Sequence, residues 1–420
     1  MSRDNSLVTP RVRMARMATF VGFMLIGAMM YIWSTSVSAF RSNMGLSGAQ
    51  GDVDFGMIAL GIGIGAALGS IAIGKFIDIF GPKKVVTFTV VLYPVSMIAL
   101  AYVTHYWFAF SICIVLGLLR GATDTALNAH GVQVERFYKR SIMSAFHASY
   151  SLGGFIFGMF GSYLVGLYPE SATVPFTVCG VILLVISIFI SRFLLDKSEM
   201  VADSLEEKRI HESKSASTPL SLAIILIMSG FGVLLLCSMM GENAISDWGQ
   251  EYLNREVGTS VSTAGFAISL FIGAQFVGRI FGDFIAERIG AIKVVFICGL
   301  LSVIGLSLIS YSSDSTLAII GYAMFGLGLS CVAPLMLSSA GRKDPANAGR
   351  NIGIVNGIGY TGMLVSPAIL SFVVHQFGLS NLFVFPLGLL IVFTIFSPMI
   401  MRIKSDDKNQ NRSASSVVSG

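Results

Sequence analysis

Charge is what this chain has least of. Only 12% of its 420 residues are Asp, Glu, Lys or Arg, against about 25% in an ordinary soluble domain. A chain so poor in charge and 54% hydrophobic does not make a water-soluble globule and is expected to be an integral membrane protein. Cysteine is scarce as well. Cys113, Cys179, Cys237, Cys298 and Cys331 all sit in apolar runs without a CxxC spacing. They are expected as small core residues, outside any disulfide framework or metal site. No Walker A sequence is present, which argues against ATP as a driver. HExxH and similar clusters are missing too, which argues against a polytopic membrane enzyme. The net charge of +5 is spread over many short loops, so it is no footprint for nucleic acid. No cofactor is expected.

What the chain does have is long apolar runs. Runs of about 20 residues, enough to cross a bilayer, lie near 17–40, 55–76, 85–104, 107–134, 141–167, 174–195, 219–248, 261–286, 292–311, 316–340, 351–374 and 380–402. Arg11, Arg13 and Arg16 precede the first, which is too long for the apolar stretch of a cleavable leader and is expected to be span 1. Of the 28 Lys and Arg residues, only Arg41 and Arg255 fall in loops on the far side, and only Arg120 and Arg279 lie deep within spans, the rest standing in or at the edge of the near-side loops. The positive-inside bias therefore puts both termini in the cytoplasm. The polar stretch from Asp196 to Pro219 divides the spans six and six. Its composition suits a solvated linker. The expected organisation is a six-helix bundle over 1–195, a cytoplasmic linker over 196–218, a second six-helix bundle over 219–402 and a cytoplasmic tail over 403–420.

The two halves resemble each other. GKFIDIFGPKKVV begins at Gly74 and DFIAERIGAIKVV at Asp283. At an offset of 209 residues Asp78 meets Glu287, Gly81 meets Gly290, Lys84 meets Lys293 and Val85-Val86 meets Val294-Val295. Several matches in one short window, at the corresponding loop, indicate a duplicated six-span unit. Repeated halves around a central site are the architecture of secondary transporters.

The chemistry concentrates in the stretch Leu116 to Arg136. Arg120, Asp124 and Asn128 stand at i, i+4 and i+8, within roughly 80° of one another on a helix. Gly117 and Gly131 share that arc. A charge at mid-bilayer costs about 2.5–3.5 kcal/mol on insertion scales, so such residues face a bundle interior or a watery cavity. Two alternatives stand: an Arg120–Asp124 pair that only locks helices together, or a solute or proton pathway. Span 5 adds a stripe of His147, Ser151, Gly154 and Gly158, with Tyr150 to one side. His147 is either an interhelical hydrogen-bond donor or a group that titrates near physiological pH. His130, near the cytoplasmic end of span 4, is expected at the interface. In span 7 the run Gly241 to Gln250 suggests a broken outer half-helix beside a cavity, with Glu242 as a liner and Asp247-Trp248 as an interfacial anchor. Gln275, Asn356 and Tyr360 are candidate liners from the second half. Arg279 is poised between snorkelling and function.

The segment Gly74-Lys75-Phe76-Ile77-Asp78-Ile79-Phe80-Gly81-Pro82-Lys83-Lys84 resembles the loop 2/3 signature of the major facilitator superfamily, in which a glycine, an acid and a second glycine precede basic residues. Ile79 stands where that family usually has a basic residue. The resemblance implies an all-α membrane protein of twelve transmembrane helices in two pseudo-symmetric six-helix bundles. It also implies a cytoplasmic gate built from Gly74, Asp78, Gly81, Lys83 and Lys84, with Glu287 and Gly290 as their counterparts. Three further segments are similar to a bacterial inner-membrane group distantly related to fucose permease: Asn128 to Arg136, His147 to Gly153 and Glu242 to Trp248. That group couples to protons through acids in spans 1 and 4. Asp124 matches the second, while span 1 has no acid between Arg16 and Arg41.

The function expected from all this is a secondary transporter, working as a monomer in a bacterial inner membrane. It would move a small solute by alternating access, coupled to protons through Asp124, His147 or Glu242. Uptake of a sugar-like or organic-acid solute is one form. Export of a small natural product or antibiotic, suggested by 20 Met and 31 Phe, is the other.

Overall fold

The computed structural model describes residues 8–138, 142–199, 222–343 and 348–403. Among them, twelve helices are long and apolar enough to cross a membrane. Spans 1 to 6 are Pro10–Ser34, Gly48–Ile77, Pro82–Leu100, Tyr106–Tyr138, Ala145–Leu167 and Thr173–Ser191. Spans 7 to 12 are Leu222–Arg255, Val261–Gly282, Ala291–Tyr311, Ser315–Lys343, Asn351–Phe377 and Leu379–Arg402. Most of the linker and the tail from 404 onward lie outside the described residues.

The helices begin where local chemistry allows. Thr9 caps span 1 by accepting the Val12 amide at 3.3 Å, with Pro10 in the first turn. Ser260 caps span 8 through the Thr263 amide at 3.1 Å, and Asp314 caps span 10 through that of Leu317 at 2.9 Å. Between spans 2 and 3 the chain turns at Gly81 with φ +82°, and between spans 8 and 9 it turns at Gly290 with φ +89°. A positive φ is open to glycine and strained for most other residues, so the repeated sequence signature carries a repeated backbone turn.

The packing is duplicated too. In the first half span 1 packs on spans 5 and 6, span 2 on span 4, and span 3 on spans 4 and 6. In the second, span 7 packs on spans 11 and 12, span 8 on span 10, and span 9 on spans 10 and 12. Between halves, span 2 meets span 11 and span 5 meets span 8, and exchanging the halves maps one pair onto the other. Small residues make the close crossings. A Cβ on Gly117 would meet the Ile62 carbonyl oxygen at 2.0 Å, and one on Gly153 the Met24 carbonyl oxygen at 2.0 Å. The five cysteines are buried among these helices.

Three expectations are corrected. Span 7 is one continuous helix from Leu222 to Arg255. Gly241 does not break it; a Cβ there would sit 3.0 Å from the Phe325 ring, so the glycine serves close packing on span 10. Trp248 is no membrane anchor: it is fully buried against Phe55 of the other half, rings edge to face at 5.1 Å. His130 is not interfacial either. Its ring is fully buried, with Nδ1 3.1 Å from the Thr19 hydroxyl and Nε2 accepting the Leu195 amide at 2.9 Å, so it ties spans 1 and 4 to the end of span 6. A helical wheel gives the direction of a side chain but not the neighbour waiting there.

Past the end of span 6, Arg11 donates to both Glu199 oxygens at 2.8 and 2.7 Å. That hydrogen bond and the Asp196 amide hold the Glu199 carboxyl below its usual range. The contact is therefore present at neutral pH and is lost as pH falls through that lowered value.

Two glycine substitutions separate packing from space. Gly117→Val forces atoms into the span 2 backbone and should cost about 3 kcal/mol or more of stability. Gly353→Val meets nothing within 4 Å and should leave the fold intact. Thermal unfolding of the purified proteins in detergent checks this, and equal unfolding temperatures would contradict the packing described.

Candidate functional site

The halves touch at one end of the molecule and part at the other. At the end carrying loops 1/2 and 7/8, four charges from both halves interlock. Arg41 donates to Asp52 at 2.5 Å and lies 3.1 Å from Glu251; Arg255 donates to Asp52 at 2.7 Å and to Glu251 at 3.4 Å. Arg41, Asp52 and Glu251 are 3–5% exposed. The Arg41 guanidinium also lies over the rings of Phe55 and Trp248, at 5.1 and 5.5 Å. Around them the Gln250 side chain accepts the Ser38 amide at 2.9 Å and donates to the Thr35 carbonyl, and the Ser371 hydroxyl donates to the Asp52 carbonyl at 3.2 Å. Arg41 and Arg255 are the two basic residues that the charge count put alone on the far side. They looked like ordinary loop residues in sequence; their acidic partners lie as far as 210 positions away and no spacing pairs them.

Toward the opposite end, described residues of spans 2 and 11 have open space beside them. Span 2 meets span 11 at Gly63 and Leu364, and span 5 meets span 8 at Ser151 and Arg279. Beyond that depth Gly74, Gly353 and Gly357 have nothing within 4 Å of an added Cβ.

The space left between the halves is polar. Tyr360 of span 11 is 52% exposed, yet it lies within charge range of Arg120, Asp124, Glu242 and Tyr150. Residues from four helices therefore surround one open volume at mid-depth. Arg120, Asp124 and Asn128 are half-buried along its span 4 wall. The Asn128 side-chain amide donates to the Asp124 carbonyl at 2.8 Å and to its carboxylate at 3.2 Å. Among the described residues, no carboxylate lies within 4.0 Å of the Arg120 guanidinium, so the locking pair weighed as an alternative is not formed. Arg120 instead reaches the Met363 sulfur of span 11 at 4.0 Å and lies in charge range of Tyr93, Tyr150, Asp124 and Asp247.

A hydrogen-bonded chain crosses to the other half. Glu242 accepts from Gln275 at 3.3 Å, Gln275 accepts from Arg279 at 2.9 Å, and Arg279 donates to the Ser151 hydroxyl of span 5. Gln275 is fully buried. Arg279 therefore does not snorkel. His147 is exposed on span 5, its ring 5.1 Å from Phe23 and in charge range of Arg279. Asn356 is half-buried one turn from Tyr360, with a side-chain oxygen that has no partner.

Most of the expected site residues thus share one space. The gate residues do not: Gly74, Gly81, Lys83, Lys84, Glu287 and Gly290 lie at the open end, and the Asp78 side chain is outside the described residues. Lys83 pairs with Asp196 at 2.7 Å, a contact within the first half. Tyr31 and Tyr93, which also reach into the site, were missed in sequence because a tyrosine in an apolar helix carries no signal of its own. Asp247 was set aside with Trp248, although it faces Arg120.

A family model described as the Major Facilitator Superfamily matches residues 18–242 and 222–419. The chain is 28% identical to a transporter, y4wD, of Sinorhizobium fredii, over 82% of this chain and 87% of that one. It is also 28% identical to an MFS-type transporter of Yersinia pestis, over 88% and 91%. Among solved structures it is similar to a D-xylose-proton symporter, with a TM-score of 0.75 at 13% identity, covering 94% of this chain and 99% of that one.

The four-charge cluster predicts its own test. Asp52→Asn leaves two arginines facing one acid, and breaking a buried pair costs about 3–5 kcal/mol. The variant should open the sealed end, so that a cysteine at Tyr360, in a protein without other cysteines, is labelled by an impermeant maleimide from that side at least about ten times faster. Unchanged labelling would mean the cluster does not hold the halves together.

Proposed function

The chain belongs to the Major Facilitator Superfamily and is a secondary transporter of small solutes, not an enzyme, and from that premise we propose that it takes up a polar solute together with protons through Asp124. The observation that carries this is the position of Asp124. It is half-buried at mid-depth, hydrogen-bonded by Asn128 and open to the space between the halves. An acid that water reaches from one side only, in a protein whose halves rock, exchanges its proton with one compartment at a time. Burial and a neighbouring cation act on such a carboxylate in opposite directions, and a change in either as the halves move loads or releases a proton. Glu242 and His147 lie in or beside the same space and serve as further proton or solute ligands.

The polarity of the lining favours uptake of a hydrophilic solute over export of an apolar natural product. Arg120, Asp124, Asn128, Tyr150, Glu242, Gln275, Asn356 and Tyr360 offer donors and acceptors for hydroxyl, amide or acid groups. The excess of basic residues in the loops on one side supports both termini, and the open end, lying in the cytoplasm of a bacterial cell, with the sealed end outside. The protein would then work as a monomer in the inner membrane, with Asp78 and its neighbours closing the cytoplasmic end when the outer cluster opens.

Growth and metabolite profiling of a deletion strain identifies the solute. In proteoliposomes carrying a pH gradient, Asp124→Asn should then bring accumulation down to an inside-to-outside ratio of about 1 while solute exchange persists. Wild-type accumulation by this variant, with wild-type pH dependence, would move the proton role to His147 or Glu242.

A further inference from the structure

We infer that the transported solute is a small carboxylate, and that its acid group docks on Arg120. The arginines at the seams between the halves have polar partners. Arg41 and Arg255 meet carboxylates at 2.5–3.4 Å, and Arg279 is held by Ser151 and Gln275. Among the described residues, Arg120 stands at mid-span with the Met363 thioether sulfur, a weak acceptor, at 4.0 Å and no carboxylate within 4.0 Å. A guanidinium is a planar fork of five donors, matched to the two oxygens of a carboxylate. One left unpaired on the wall of a transport cavity is a recognition group. Tyr93, Tyr150 and Tyr360, all in charge range of it, suit a hydroxylated carbon body beside that acid group.

The charges of the site say when such a solute binds. Asp124 is hydrogen-bonded by Asn128 and lies in charge range of Arg120 on its own helix, Tyr93 of span 3, Tyr150 of span 5 and Tyr360 of span 11; around these stand Glu242 of span 7 and Arg279 of span 8, in range of Tyr150, Asp247 of span 7, in range of Arg120, and His147 of span 5, in range of Arg279. With all three acids ionised, the two arginines are outnumbered and an incoming anion is repelled. With one of the three protonated, Arg120 and Arg279 balance the two that remain and an anion is admitted; Asp124 is the acid to which the function proposed above gives that proton. The solute anion and the proton therefore enter together, with no net charge moved. This last step rests on the proton role proposed for Asp124; the assignment of Arg120 does not.

Binding to the purified full-length protein separates the two. The probes are gluconate beside sorbitol, glucuronate beside glucose, and lactate beside propane-1,2-diol, measured by calorimetry and thermal stabilisation between about pH 5.5 and 8, above the range where the free acids protonate. At least one acid should bind the wild type, more tightly as pH falls, while its neutral counterpart does not. Arg120→Gln should weaken that acid at least about 30-fold, and Arg120→Lys, which keeps the charge but not the fork, about 10-fold. If Arg120→Gln does not fold, Arg120→Lys decides. Neutral compounds binding as well as acids, no acid binding at all, or an Arg120 variant that folds and binds the acid like the wild type would each overturn the assignment. Asp124→Asn should bind the acid with its pH dependence gone. If that dependence survives in Asp124→Asn while Arg120→Gln loses the acid, the carboxylate assignment stands and the proton role of Asp124 fails.

Discussion

A charge taken into a bilayer must find a partner or reach water, and the arrangement of this protein follows from how each buried arginine meets that demand. Arg41 and Arg255 take the first course, sharing Asp52 and Glu251 across the halves. Arg279 takes a milder version, with neutral Gln275 and Ser151 as acceptors. Arg120 takes the second. It stands half-buried on the space between the halves, the kind of position in which an intramembrane charge is tolerated. The cavity is thus as much a condition of the fold as a product of it.

The paired charges and the cavity are two sides of one equilibrium. Isolated buried ion pairs contribute little net stability, since desolvation offsets the attraction. That makes them suited to a contact that has to form and break. The apolar crossings inside each half are different: at Gly117 and Gly153 backbone lies against backbone, and nothing there can slide without clashing. Each half is packed as a unit, and the seams between halves, span 2 on span 11 and span 5 on span 8, are where relative motion would be taken up. The empty space around Gly74, Gly353 and Gly357 is where the opposite closure would find room.

How much of this a sequence carries depends on how local the signal is. The twelve spans, the duplicated halves and the shared face of Arg120, Asp124 and Asn128 are set by periodicity and by short motifs, and all are present in the structure. The outer cluster was invisible because Asp52 and Glu251 lie in different halves of the chain and no spacing joins them to Arg41 and Arg255. Arg279 could not be placed because the choice between snorkelling and pairing depends on Ser151, 128 residues away. Span 7 was expected to break at Gly241 because glycine and polar residues together suggest irregular backbone; the Phe325 ring packed against that glycine gives it another purpose. Burial of His130 and Trp248 likewise depends on helices that contact them only after folding.

The claim on which the account turns is that solute and proton cross together through the Arg120–Asp124 space. The most direct measurement is a pH-electrode recording of a lightly buffered suspension of proteoliposomes when the accumulated solute is added outside. The account predicts alkalinisation of the medium as protons enter with the solute, unaffected by clamping the membrane potential at zero. Solute entry without a pH change, or acidification of the medium, would contradict it.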